Sequence, residues 1–418
     1  MNGFLIPSST RAVLAFPFIF LAPILSHSSP ACAAPLESGL QNIVRLKGAG
    51  GTFAAFSSDH RILTAGNDKA QLWDAKTFRA ISEPFGNGSK IIMAAVDPKW
   101  HFFATANEMD VFLWDLALFK VLHVFHHPSQ IYDVQFSHNG EMLATASADK
   151  CARLWSIDGK LLGKFEHEEA VASVTCSPGG DLLLTSTFGK TSPMDRTQFA
   201  GYIGHGDAHV WDIRKRVELW SFANSHFCQG RPAFNPDGTK VAVPCGGVAI
   251  CEATTGKRLA DWLSFTGVHG ITTVTFDSTG RKLLATGDDG SDTIEGAMRL
   301  FDLARAGALE NDDLLKQERV ALPNCSLWTA CLSPDGRSAI VVSRDQGDGN
   351  VTGVWNLVSG KQVLALCDHQ ENEGHSVSPT NVSCIAVSPA GDQVAFGCTS
   401  RDSRNTETLI WNFTSSRP

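Results

Sequence analysis

His127, Ser147 and Asp149 supply the side-chain types of a hydrolase triad: an imidazole base, a nucleophilic hydroxyl and an orienting carboxylate. Further on, His205 and His209 bracket Gly206-Asp207-Ala208. Two His four apart on a strand share a face, which is compatible with a metal pair. No third ligand stands with them, so ordinary strand polar residues are the simpler reading. A third group is acidic: Asp288, Asp289, Asp292 and Glu295, followed by Asp345 and Asp348. Carboxylates in loops suit Ca²⁺ or a cationic partner, although loop acids are most often simply solvated. The segment Gly287–Gly296 lacks the ligand spacing of an EF-hand loop.

The elements that must position these residues recur. Eight times a Trp-Asp pair, or a relic of one, closes an alternating apolar stretch. The pairs are Trp73-Asp74, Trp114-Asp115, Trp155-Ser156, Trp211-Asp212, Cys251-Glu252, Phe301-Asp302, Trp355-Asn356 and Trp411-Asn412. Their spacings of 41, 41, 56, 40, 50, 54 and 56 residues describe one supersecondary unit used repeatedly. Each unit also carries a tight turn, such as Ser137-His-Asn-Gly140, Asn235-Pro-Asp-Gly238 or Ser333-Pro-Asp-Gly336. Pro presets φ there and Gly supplies positive φ. Flanking runs such as Ile131–Phe136 alternate with the strand period.

In these motifs the chain resembles the WD-repeat family of β-propellers. The closest unit comprises His127, Val134–Gly140, Leu143–Asp149 and Ala152-Arg-Leu-Trp155. The resemblance implies an all-β fold: a single propeller of eight four-stranded blades, with seven as the alternative count. It also implies that His127, Ser147, Asp149 and Trp155 form a structural tetrad. In that tetrad the indole N–H is linked through a hydroxyl and an imidazole to a carboxylate. A buried Trp N–H and a buried His both need partners, and this reading displaces the triad.

The last unit, Val382–Phe413, has three strand patterns, whereas Asn42–Lys47 is an extra pattern before the first turn. The expectation is that this early strand completes blade eight, so that no large edge is exposed. Before it, Arg11 precedes an apolar run from Ala12 to Leu25, and Ala31-Cys32-Ala33 forms an A-x-A site. These parts read as a signal peptide cleaved after Ala33, giving an exported, periplasmic or secreted propeller with no membrane span.

The formal charge is −8. Removing residues 1–33 leaves 34 basic and 43 acidic side chains, a net of −9. That excludes the basic footprint of a nucleic-acid binder. Of 11 cysteines, Cys151, Cys176, Cys331 and Cys384 fall in strand patterns and read as small buried hydrophobes. Cys228, Cys325 and Cys367 fall in expected loops, and Cys325–Cys367 is the disulfide pair the export reading suggests.

The repeats are unequal. From the turn to the Trp position the distance is 13, 14, 15 and 13 residues in units one, two, three and five. It is 31, 21, 19 and 20 in units four, six, seven and eight. By family geometry the extra loops, Gly189–Gly206, Gly287–Gly296, Arg344–Gly353 and Ser400–Thr408, lie on one face together with the link Asp368–Thr380. A separate insertion, Ala304–Glu318, contains a short helix pattern. Function on a rigid scaffold resides in such loops. The first expectation is therefore a monomeric interaction scaffold for protein partners, with no chemistry and no cofactor of its own. Its candidate face is Asp288, Asp289, Asp292, Glu295, Asp345 and Asp348. The alternatives are a quinoprotein-like or other propeller enzyme, suggested by Ala253–Trp262, and a glycan or small-ligand binder at the channel mouth. Trp100 and Trp328 would be stacking residues in the last case.

Overall fold

The computed structural model describes residues 43–48, 50–188, 205–223, 231–245, 247–264, 270–288, 296–303, 319–322, 325–345, 349–357, 361–366, 381–399 and 406–412. They form an eight-bladed β-propeller with no helix among them. Blade one holds β2 (Phe53–Phe56), β3 (Arg61–Gly66) and β4 (Lys69–Asp74). Blade two is β5 (Met93–Val96), β6 (Phe102–Ala106), β7 (Asp110–Asp115) and β8 (Lys120–His126). Blade three is β9 (Ile131–Phe136), β10 (Met142–Ser147), β11 (Cys151–Ser156) and β12 (Leu161–Glu166). Blade four is β13 (Val171–Cys176), β14 (Leu182–Phe188), β15 (His205–Asp212) and β16 (Val217–Phe222). Blade five is β17 (Ala233–Phe234), β18 (Lys240–Pro244), β19 (Gly247–Glu252) and β20 (Arg258–Ser264). Blade six is β21 (Gly270–Phe276), β22 (Lys282–Asp288), β23 (Gly296–Asp302) and β24 (Arg319–Leu322). Blade seven is β25 (Cys325–Leu332), β26 (Ser338–Asp345), β27 (Gly349–Asn356) and β28 (Lys361–Leu366). Blade eight is β29 (Asn381–Val387), β30 (Gln393–Thr399) and β31 (Thr406–Asn412), completed by β1 (Ile43–Lys47).

The early strand closes the ring as expected. β1 runs antiparallel to β31 from Ile43↔Trp411 to Lys47↔Glu407. Eight hydrophobic clusters fill the ring. In the closing one, Leu46 of β1 and Ala395 and Ile410 of blade eight pack with Ile62 and Trp73 of blade one. Leu46 is 1% exposed. Each sheet buries both faces against its neighbours, which is why the repeat stands only as a closed ring.

One turn design repeats in all eight blades. Its fourth residue takes a left-handed conformation, for example Gly336 at φ 64° and Gly391 at φ 72°. In blades one and two His60 (φ 65°) and Trp100 (φ 59°) hold that place instead. The first residue ties down the incoming strand. Ser137 Oγ accepts from Met142 N at 2.9 Å, Asn235 Oδ1 from Lys240 N at 2.8 Å and Asp277 Oδ1 from Lys282 N at 2.9 Å. Ser, Asn and Asp are interchangeable here because each presents an acceptor at the same reach.

Blade one has no regular outer strand among the described residues. Two isolated bridges, Ala70↔Phe85 and Trp73↔Ala80, replace it. Pro84 has no N–H to offer a ladder, and the Ser82 hydroxyl accepts from Leu72 N at 3.1 Å. The insertion 304–318, with its helix pattern, and the link 368–380 lie outside the described residues, as does the N-terminal segment carrying the signal pattern.

Candidate functional site

The polar network the repeats build is not the one expected. Trp155 Nε1 donates to Thr145 Oγ1 at 3.1 Å, and His127 Nε2 sits 2.8 Å from the same hydroxyl. Ser147 instead donates to Ser129 O at 3.2 Å and accepts from Asp149 N at 3.3 Å. Asp149 pairs with Arg153 through both oxygens, at 3.1 and 2.5 Å. The expected chain through Ser147 to Asp149 is thus corrected: the hydroxyl is Thr145, and the carboxylate belongs to Arg153. Period-two alternation puts Thr145 and Ser147 on the same face, so pattern alone could not separate them. Register does, since Leu143 faces Trp155 and Thr145 is its diagonal neighbour. Ser147 lies past a register shift that follows Ala146.

The same bond recurs in three other blades. Trp73 reaches Thr64 at 2.9 Å, Trp114 reaches Thr105 at 2.9 Å, and Trp211 reaches Thr185 at 3.1 Å. Thr64, Thr105, Thr145 and Thr185 recur at nearly constant spacing in the sequence, a signal the Trp-Asp spacing overshadowed. Blade four also repeats the imidazole. His167 Nε2 lies 2.8 Å from Thr185 Oγ1, and its Nδ1 lies 3.1 Å from Phe165 O. In blade three His127 Nδ1 lies 3.2 Å from Phe125 O. These partners fix the tautomer: Nδ1–H donates to the carbonyl, Nε2 accepts from the Thr hydroxyl, and that oxygen accepts from the indole. Burial pushes both imidazoles down to about 4, so they are neutral at pH 7. Burial also opposes the charge of Asp149, but the Arg153 guanidinium, with help from Ser147 and Cys151 N–H, outweighs it and holds the carboxyl below its ordinary range. Thr145 and Ser147 are both fully buried. A hydroxyl so enclosed holds blades together and meets no substrate.

The other candidates fall as follows. His209 is committed to Glu218, with Nδ1 3.2 Å from Oε1, and its ring stands edge-on to His167 at 5.0 Å. His205 opens β15 opposite Phe188. Among the described residues no group of three or more His, Cys, Asp or Glu side chains comes together. Trp100 is packed in the core between blades one and two, with the Arg61 guanidinium 5.4 Å from its ring centroid. It fills space and offers no stacking face at a channel mouth. Trp328 lies in β25 at a register shift between Leu327 and Thr329. Cys151 and Cys176 are buried free thiols, and Cys331 and Cys384 are free and partly buried. Cys325 is not in a loop: it begins β25, paired with Asp345. Cys228 and Cys367 lie outside the described residues.

The acidic face is partly placed. Asp288 ends β22 opposite Gly296, and Asp345 ends β26 opposite Gly349. They cap equivalent hairpins of neighbouring blades. Asp289, Asp292, Glu295 and Asp348 lie outside the described residues. In all four long units the described ends of the expected loops extend the ladder, most fully in unit seven. Residues 344, 345 and 349–353 of the expected loop Arg344–Gly353 are strand, which leaves 346–348 as the connection. The run Val351-Thr352 has strand propensity, which favours extending the hairpin. In blade four the ladder reaches Phe188↔His205, and in blade eight it reaches Thr399↔Thr406.

The family profile described as WD domain, G-beta repeat matches residues 119–156, the segment that carries the Thr145–Trp155 bond. The chain is a WD-repeat β-propeller. It is 26% identical over 222 residues to a guanine nucleotide-binding protein subunit beta of Oryza sativa subsp. indica, covering 50% of this chain and 54% of that one. It is 24% identical over 268 residues to WD repeat-containing protein 55 of Bos taurus, covering 64% and 62%. Over 303 residues it is 23% identical to COMPASS component SWD3 of Saccharomyces cerevisiae, covering 68% and 85%. The match thus spans about half the length of the plant β subunit.

Proposed function

We propose that this propeller is an exported interaction scaffold that docks protein partners on the face formed by its second-to-third-strand hairpins. The observation that carries this is the uneven height of those hairpins. In blade one β3 and β4 pair over six residues each, Arg61↔Asp74 to Gly66↔Lys69. In blade seven β26 and β27 pair over eight, and β22–β23 and β30–β31 over seven. Each added residue raises the hairpin by about 3.4 Å. Blades four, six, seven and eight therefore stand above the rest on one face, and Asp288 and Asp345 lie at the tips of two of them. Two relatives are named as a subunit and a component, and both names describe parts of larger assemblies. The His–Thr–Trp sets, the polar groups closest to a catalytic pattern, are spent inside the blades.

Replacing residues 289–295 by a two-residue turn should abolish partner capture from the native exported fraction while leaving the melting temperature within a degree or two of wild type. An unchanged partner profile in that variant would move the docking surface elsewhere. N-terminal sequencing of the native protein should begin at Ala34. Retention of Met1 would end the export reading.

A further inference from the structure

Blade five has the shortest first strand among the described residues, and a chamber opens beside it. The first strands of the blades converge on the ring axis, where β9 contacts β13 and β17 contacts β21. β17 is two residues long, whereas β9 and β13 have six and β21 has seven. Pro232 stands immediately before β17 and has no N–H to extend its ladder. A cavity of about 450 Å³ lies there, walled by β9, β13, β17 and β21, and extends to the turns at Pro178 and Pro236. That volume is within the range of small-molecule sites.

The chamber contains a fixed charge pair. Asp133 is 4% exposed. Its Oδ1 accepts from Val134 N at 3.0 Å and from Arg231 Nη1 at 3.0 Å, and its Oδ2 accepts from Val174 N at 3.0 Å. Asp133 therefore pins Arg231, 98 residues distant, to the wall between blades three and four. The Arg231 side chain is 50% exposed. A guanidinium has five N–H donors, and only one of them is engaged by Asp133. The charges of the pair offset each other. Around it stand neutral groups that both donate and accept. The Thr175 hydroxyl makes no hydrogen bond among the described residues. Thr275 makes only a 3.5 Å one to Phe276 O, and the Gln135 amide only a 3.4 Å one to Asp133. Phe234 and Phe276, which also pack against the hydrophobic cores between blades, supply apolar surface to its lining.

We infer that this chamber is a binding site for a pyranose, either a free monosaccharide or the terminal residue of a glycan. An overall neutral site with unspent two-way hydrogen-bonding groups matches hydroxyls, which themselves donate and accept. Aromatic rings match the C–H face of the sugar. A cationic ligand would meet the half-exposed Arg231 guanidinium with like charge, and Asp133, buried and already accepting from Val134 N, Val174 N and Arg231, would not offset it. The site is separate from the hairpin face and does not depend on the scaffold reading.

The test is saturation-transfer NMR on the full mature chain with glucose, galactose and N-acetylglucosamine, one at a time. Their β-methyl glycosides represent a glycan terminus, and adenosine and citrate are chemically different probes. At least one hexose should receive saturation at its ring protons, and its Kd should weaken at least tenfold in Arg231→Gln. Stronger transfer to the methyl glycoside than to the free sugar identifies a glycan terminus; the reverse identifies a free monosaccharide. Thr275→Val, which leaves the charge pair intact, should weaken the same sugar and keeps the test decisive if Arg231→Gln does not fold. Transfer to none of the hexoses overturns the inference. So does transfer that persists unchanged in both variants, or an Arg231-dependent signal from adenosine or citrate alone.

Discussion

Acid should loosen this propeller well before its carboxylates protonate, and the two buried imidazoles set the size of the effect. His127 and His167 have folded pKa values of about 4, against an ordinary value of 6.5. Between those values the unfolded chain binds protons that the folded chain refuses, so stability falls as pH falls through that window. For one such group the loss from pH 7 to pH 5 integrates to about 2 kcal/mol, and for the pair to about 4 kcal/mol. The depressed carboxylates act at lower pH. Asp149, Asp59 and Asp237 lie below 3.8 in the folded chain, so their contribution is present above that value and is lost only as pH falls through the folded pKa. Urea denaturation at pH 7, 6 and 5, followed by Trp fluorescence, measures the slope. The double variant H127Q/H167Q keeps a hydrogen-bonding side chain at each site and removes the titration. Its loss between pH 7 and pH 5 should be smaller than that of wild type by about 4 kcal/mol. An equal loss in both proteins would refute the assignment of neutral, buried imidazoles.

The remaining predictions address the network, the closure and the turns. Thr145→Val strands the Trp155 N–H and His127 Nε2 and should cost about 3 kcal/mol, against about 1 kcal/mol for Ser147→Ala. The reverse order in thermal unfolding would restore Ser147 as the link. Deleting residues 34–47 removes the β1 ladder and the buried Leu46, and the Leu46 side chain alone contributes about 2 kcal/mol. An unchanged melting temperature would show that the ring does not depend on β1. Gly256 and Gly180 both have positive φ, at 69° and 76°. A Cβ at Gly256 would stand 2.7 Å from the Trp220 indole, whereas one at Gly180 meets open space. Gly180→Ala should therefore cost about 1 kcal/mol and Gly256→Ala about 3 kcal/mol, and equal costs would mean that Trp220 moves aside freely.

Much of the architecture follows from local chemistry. The recurrence of Trp-Asp pairs, the Pro and Gly turns and the alternation of runs such as Ile131–Phe136 are properties of short segments. They determine eight units and the strand pattern at Ile43–Lys47, left over at one end to complete the other. What sequence could not decide depends on register and on contacts between distant segments. Thr145 and Ser147 share a face, and only the pairing of Leu143 with Trp155 shows which hydroxyl meets the indole. Asp149 was available to an imidazole by type, but Arg153, on the same strand side, neutralises it more completely. The long segment Arg344–Gly353 reads as a loop because an insertion carries no label for whether it will pair; the structure extends the hairpin through Asp345↔Gly349. The meeting of Asp133 with Arg231 joins blade three to the start of blade five past blade four, and no local pattern encodes it. Repetition is a one-dimensional property and can be read from the chain. Which side chains meet where the ring closes and at its centre is a three-dimensional one, and the tertiary structure alone decides it.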